Sequence, residues 1–201
     1  MNDFLFFWIA WICWLFATWF MQKGTLRIQI AMISLISIVC GSHTITIMSL
    51  KINTAIIFFL CLSLYFVHKQ KWVQQLYLIS SSMIMTLGYV AIYLITIYDP
   101  ITFVFSFTFI APAYLFIISS LFTKKVIHKL TLIILSIALG EILIGFILNS
   151  IGLNNEIGTN HYLTRLTLTF LCIIIESLFK NIILHFERYV NRLKYERKKV
   201  V

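Results

Sequence analysis

Long apolar runs separated by short polar connections dominate the chain. A helix needs about 20 mostly apolar residues to cross a hydrocarbon core of roughly 30 Å, and most of the runs approach that length. Only the third run is short. The pattern predicts a transmembrane bundle with seven spans, at residues 4–21, 28–48, 52–67, 76–98, 101–122, 130–151 and 162–184.

The last predicted span is followed by a polar and basic segment, residues 185–201. Phe186, Val190 (or its neighbour Tyr189) and Leu193 recur there at three- and four-residue spacing among charged side chains. This spacing is typical of one apolar face of a helix. The segment is therefore predicted to be an amphipathic helical tail that extends the last span. Together with the seven spans it gives an all-α fold.

The composition supports a membrane protein. Of the 201 residues, 61% are hydrophobic and only 11% are charged, whereas a typical soluble domain has about 25% charged residues. There is too little polar surface to cover a core of this size in water. A soluble globular fold is therefore excluded, and the lipid bilayer is the expected surrounding.

Basic residues alternate sharply between successive connections. One set of connections, together with the C-terminal part of the last span and the tail, holds 14 of the 16 Lys and Arg residues, and the opposite set holds only Lys51 and Arg165. Connections that retain Lys and Arg face the cytoplasm. The sequence therefore predicts an N-terminus outside and a cytoplasmic C-terminus, which requires an odd number of spans.

The net charge of +9 does not indicate a nucleic-acid partner, because the basic residues punctuate apolar runs instead of forming a basic face. A basic tail is attracted to anionic lipids of the inner leaflet. It could equally dock a cytoplasmic or membrane protein. The tail residues predicted to make either contact are Arg188, Arg192, Lys194, Arg197, Lys198 and Lys199.

Two carboxylates fall within predicted spans, where a charged side chain is costly and indicates function by default. Glu141 lies at the middle of the sixth span, and Glu176 lies near the middle of the seventh, on a polar stripe with Arg165. The offset between the two carboxylates is small enough for their side chains to meet, as a proton relay or cation site would require. The alternative is structural: Glu176 pairs with Lys180 one helical turn away, and Glu141 is hydrogen-bonded within the bundle.

Other candidate chemistry is sparse. His43, predicted in the outer half of the second span, could titrate or bind a metal, but a lone histidine more often hydrogen-bonds inside a bundle. The chain has no HExxH, no Gly-rich phosphate loop and no GxSxG motif, so neither a cofactor nor an enzyme active site is indicated. No CxxC pair occurs among the four cysteines, Cys13, Cys40, Cys61 and Cys172.

The opening segment NDFLFFWIAWICWLFATWFMQK (residues 2–23), which contains the aromatic first span, resembles the YphA-type membrane proteins of Bacillus and relatives, as do the chain length, the seven spans and the basic end. The resemblance implies a bacterial plasma membrane and a sporulation-linked accessory role. It supplies no catalytic motif.

Three functions remain open from the sequence. The first is a non-enzymatic accessory protein that contacts a membrane-protein partner or a second copy of the chain. The second is a small proton- or cation-coupled carrier that uses Glu141 with Glu176, although no inverted repeat supports it. The third is a lipid-modifying enzyme that uses the intramembrane carboxylates as acid and base.

Overall fold

The computed structural model describes residues 4–47, 50–99, 106–152, 157–158 and 160–199. Residues 48, 101–105 and 200–201, which belong to predicted spans or the predicted tail, lie outside this part. The described backbone forms helices α1 (Leu5–Trp19), α2 (Thr25–Ser42), α3 (Thr54–His68), α4 (Trp72–Tyr98), α5 (Phe107–Phe122), α6 (Val126–Ser150) and α7 (Asn160–Lys199), and two strands, β1 (Thr44–Ile47) and β2 (Leu50–Asn53). The all-α class is confirmed.

Helix α6 is the centre of the bundle. It packs against α3, α4, α5 and α7, whereas α1 packs mainly on α2 at the periphery. Leu132, Ile133 and Ile137 of α6 are completely buried. Small residues on α6 permit this close packing, because a Cβ at Gly140 would lie 2.5 Å from Cδ1 of Tyr89 on α4. Side chains placed on α6 therefore meet partners from several helices.

Four of the described helices are long and apolar enough to cross a bilayer: Thr25–Ser42, Trp72–Tyr98, Val126–Ser150 and His161–Arg188. The helices Leu5–Trp19, Thr54–His68 and Phe107–Phe122 are apolar but shorter. Length and composition therefore support a multi-pass protein. The count of seven crossings and the orientation stay predictions.

The connection between α2 and α3 differs from the prediction. The second span was expected to continue as helix to residue 48, but α2 ends at Ser42 and an antiparallel hairpin of β1 and β2 follows. The physical reason is the sequence Thr-Ile-Thr-Ile of β1, because β-branched residues favour a strand over a helix and polar and apolar side chains alternate with the period of a strand.

The hairpin is tied to the connection between α6 and α7. The backbone N–H of Asn53 donates to the carbonyl of Ile157 at 3.0 Å, and the N–H of Ile157 donates to the carbonyl of Lys51 at 2.7 Å. Gly158 follows with a φ of +77°, and a Cβ there would lie 2.2 Å from Cδ1 of Ile56. These contacts join two connections that are far apart in sequence at one end of the bundle.

Helix α7 is the longest element. Its 40 residues correspond to about 60 Å at 1.5 Å per residue, roughly twice the thickness of a hydrocarbon core. Side chains from Tyr162 to Thr167 are buried, whereas every side chain from Leu178 to Arg188 is exposed. The helix therefore continues from the packed bundle into the basic tail without a break.

Candidate functional site

A buried ion pair joins the middle of α6 to the first turns of α7. Nη2 of Arg165 lies 2.8 Å from Oε1 of Glu141, and the hydroxyl of Tyr89 on α4 donates to the same oxygen at 2.6 Å. Arg165 is 4% exposed and Glu141 is 7% exposed. Two charges removed from water in this way persist only when each is paired and hydrogen-bonded. Glu141 is therefore paired with Arg165, which the sequence placed on a different helix.

Aromatic rings and the backbone hold the Arg165 guanidinium in place. Its Nε donates to the carbonyl of His161 at 3.1 Å, one turn earlier on α7. Its Cζ lies 4.7 Å from the ring centroid of Phe107 on α5 and 5.7 Å from that of Tyr89. Cation–π contacts of this kind are strongest when water is excluded. The pair thus connects α4, α5, α6 and α7 at one level of the bundle.

A second charged cluster surrounds Glu176 on α7. Nζ of Lys129 on α6 lies 2.7 and 2.8 Å from the two carboxylate oxygens, and it also bonds the hydroxyl of Ser120 at 2.8 Å. Nζ of Lys180 lies 2.5 Å from Oε1 of Glu176, which is the i,i+4 pair that the spacing suggested. Lys129 is only 2% exposed. One carboxylate is therefore shared by two ammonium groups.

The structure does not bring Glu141 and Glu176 together. Because α6 and α7 run antiparallel, Arg165 faces Glu141 and Glu176 faces Lys129. The eleven positions between Arg165 and Glu176 correspond to about 16 Å of helix. The expectation that the carboxylates meet is therefore wrong. It assumed that the midpoints of the two predicted spans lie level, but α7 is longer and packs on α6 through its first turns.

His43 lies away from both clusters. It is the residue after the end of α2, and its side chain is exposed. Its backbone N–H donates to the carbonyl of Cys40 at 3.3 Å, and its carbonyl accepts from the N–H and the hydroxyl of Thr54, each at 3.1 Å. It was expected to lie within a helix, but α2 ends at Ser42 and the strand β1 begins at Thr44. No group of three or more His, Cys, Asp or Glu among the described residues could hold a metal ion.

Lys129 is the residue that sequence reasoning misplaced. It was grouped with Lys124 and Lys125 as part of a basic connection, but it lies inside α6 and is buried. A signal for this was available, because Ser136 and Gly140 follow it at seven and eleven positions, on one face of a helix. On that face Ser136 bonds the carbonyl of Ser82 on α4 at 3.3 Å. Residues of this face contact both α4 and α7.

Of the predicted tail contacts, only the side chain of Arg188 is described, and it is exposed. The backbone of α7 continues to Lys199. The side chains of Arg192, Lys194, Arg197, Lys198 and Lys199 lie outside the part that the structure describes.

The chemistry available to the two clusters is that of charge pairing. Glu141 and Glu176 each accept hydrogen bonds from a cation on a neighbouring helix, so the negative charges are compensated within the bundle. Such pairs fix the register of the helices that supply them, and they also mark ion pathways in some membrane proteins.

The two lysines of the second cluster should differ in their importance for stability. Lys180→Met is expected to lower the free energy of unfolding by less than about 1 kcal/mol, because its side chain is 58% exposed. Lys129→Met is expected to cost about 1.5–3 kcal/mol, because it removes a buried charged hydrogen bond. Thermal unfolding of the two variants in detergent measures the difference, and equal losses would contradict it.

Comparison with known proteins identifies the family. The model of the family described as YphA-like integral membrane protein matches residues 2–199. The chain belongs to this family. It is 22% identical over 153 residues to the uncharacterised protein YphA of Bacillus subtilis (strain 168), a match that covers 76% of this chain and 75% of that protein. No solved structure matches the chain.

Membership in the YphA-like family confirms the resemblance that the first span indicated, and it makes the apolar helices those of an integral membrane protein. The YphA-like protein is thus a multi-pass protein of the bacterial plasma membrane, and the lipid bilayer is its surrounding. The family description names no activity.

Proposed function

We propose that this YphA-like protein is a non-enzymatic accessory protein of the bacterial envelope, which acts by contacting other membrane proteins. The observation that carries the proposal is the pairing of both described intramembrane carboxylates with cations of the same chain. A group that carries protons or ions has to exchange its partner in each cycle. Glu141 instead accepts hydrogen bonds from Arg165 and Tyr89 in a buried position.

The contact surface in this proposal is the second half of α7. Its side chains are exposed from Leu178 to Arg188, and large apolar ones such as Ile182 and Phe186 are 64% and 67% exposed. Part of this surface lies in lipid under the predicted topology, and the basic part lies beyond it. A long helix held firmly at one end by a packed bundle presents a preorganised surface to a partner.

A small proton- or cation-coupled carrier is the second candidate. The observation that favours it is the partial exposure of the Glu176 cluster: the side chain of Glu176 is 21% exposed, and that of its partner Lys180 is 58% exposed. The carboxylate of Glu176 is therefore sterically freer to exchange its hydrogen-bonding partner than that of Glu141. Charged residues on neighbouring membrane helices also occur along ion pathways.

The first experiment distinguishes, in cells, the contribution of the tail to function from that of the bundle. A strain that lacks the protein is complemented with the full chain, with a chain that ends after residue 188, and with the Glu141→Gln variant, and growth and sporulation are scored. In-cell cross-linking from positions 182 and 186 identifies captured membrane proteins.

The shortened chain keeps residues 178–188 but lacks the basic part of the contact surface. We therefore expect it to lose function and to give weaker specific cross-links while it still accumulates in the membrane. A full-length control carries glutamine at the five basic positions of residues 192–199, which separates tail charge from tail length. If the shortened chain and Glu141→Gln both retain the phenotype and the cross-links, the accessory proposal fails.

The second experiment tests the carrier directly. Purified protein is reconstituted in vesicles with an imposed proton gradient, and a pH-sensitive dye reports the flux. We expect a flux no greater than in protein-free vesicles. A flux that the wild-type supports and Glu141→Gln or Glu176→Gln abolishes would replace the accessory proposal with the carrier.

A further inference from the structure

The cluster at Glu176 holds more positive than negative charge. Its single carboxylate is shared by Lys129 and Lys180, so one positive charge is not compensated within the cluster. Lys129 is buried, whereas the side chain of Lys180 is 58% exposed. The exposed ammonium group of Lys180 is therefore available to a second anion from outside the chain.

Two further lysines lie at the same end of the bundle. Because α6 and α7 are antiparallel and Lys129 faces Glu176, the position one turn before Lys129 is level with the position one turn after Glu176. These positions are Lys125 and Lys180. Lys124 precedes Lys125, and both of these side chains are exposed. We call Lys124, Lys125 and Lys180 the basic patch.

Exposed apolar side chains adjoin the basic patch. Leu121, at the end of α5, is 77% exposed, and Ile127, in the first turn of α6, is 45% exposed. In a membrane protein, lysines at the ends of apolar helices reach the level of the lipid headgroups, and exposed apolar side chains beside them meet the acyl chains. A patch of this composition matches a ligand that has an anionic head and apolar chains.

We propose that the basic patch binds the phosphate of an anionic phospholipid. Lys180 and Lys125 contact the phosphate from two helices, Lys124 adds a third positive charge, and the acyl chains lie along the exposed apolar side chains of α5 and α6. Glu176 keeps Lys129 neutralised inside the bundle, so the lipid binds at the end of the helices and does not enter between them. This proposal does not depend on the accessory role.

The test measures lipid binding to the purified full-length protein. Native mass spectrometry in detergent follows titration with phosphatidylglycerol and, separately, with phosphatidylcholine. We expect the wild-type to retain phosphatidylglycerol preferentially. Each exposed lysine contributes on the order of fivefold to the affinity, so Lys125→Gln with Lys180→Gln should weaken binding by roughly 25-fold.

The matched control is Lys23→Gln with Arg27→Gln, which removes one positive charge before α2 and one from its first turn and should change the affinity by less than about twofold. Circular dichroism and thermal unfolding verify that all variants stay folded, which is expected since the substituted lysines of the patch are exposed.

Three results would each overturn the proposal. An equal loss of affinity for phosphatidylglycerol in the two double variants would show a general effect of the protein's net charge. Equal retention of phosphatidylcholine, in which the choline cation neutralises the phosphate, would show that the net negative charge of the headgroup is not recognised at the patch. Complete displacement of bound lipid by millimolar inorganic phosphate, with phosphate retained in its place, would assign the patch to the free anion.

Discussion

Glu141→Leu is expected to lower the free energy of unfolding by about 3–5 kcal/mol, the largest effect that we predict for a single substitution. The substitution keeps most of the side-chain volume but leaves the guanidinium of Arg165 buried without a counter-charge and the hydroxyl of Tyr89 without its acceptor. Reversible unfolding of the purified protein in mixed micelles measures the loss.

A double-mutant cycle separates the charge from the packing. When Arg165→Met is added to Glu141→Leu, the uncompensated charge is removed, and most of the lost stability should return, because a buried ion pair replaced by apolar residues of similar volume is often neutral or stabilising. A double variant as unstable as Glu141→Leu alone would show that the pair does not act through its charge.

Gly140→Ala is expected to lower the free energy of unfolding by about 1–3 kcal/mol through overpacking at the centre of the bundle. A Cβ at this position would lie 2.5 Å from Cδ1 of Tyr89, and the Tyr89 ring is completely buried. The ring has to shift, which also moves its hydroxyl away from Glu141. Thermal unfolding measures the cost, and a changed tyrosine absorbance reports the altered environment of the ring.

The matched control for this substitution is Gly88→Ala. A Cβ at Gly88 would lie even closer to its neighbour, 2.0 Å from the hydroxyl oxygen of Tyr114, but that atom is the end of a half-buried side chain that can rotate away. We therefore expect Gly88→Ala to cost less than about 1 kcal/mol. If Gly88→Ala lowers the free energy of unfolding more than Gly140→Ala does, the freedom of the neighbouring tyrosine ring to move does not determine the loss of stability.

The approximate positions of the helices were predictable, because an apolar run of about 20 residues has few alternatives to a membrane helix. The hairpin between α2 and α3 was not predicted, since residues 44–47 were assigned to the second predicted span. Its threonines alternate with isoleucines, so a test for period-two patterning would have separated the strand from the helix.

The residues of the candidate site were predicted better than their partners. Glu141, Arg165, Glu176 and Lys180 were each recognised as ionisable groups near or within spans, and the structure places all four in charged clusters. The pairing of Glu141 with Arg165 was not predicted, because it depends on the axial position of α7 relative to α6. That register is determined by tertiary packing and not by local sequence.

The bond between Ile157 and the hairpin has a consequence for biogenesis. Until residue 157 has been synthesised, β2 is paired with β1 alone, and an isolated two-stranded hairpin is marginally stable and leaves the outer edge of β2 unpaired. Ile157 closes that edge only after α6 has been made. The first three helices of a nascent chain therefore stay incompletely folded at this end until the C-terminal part of the protein arrives.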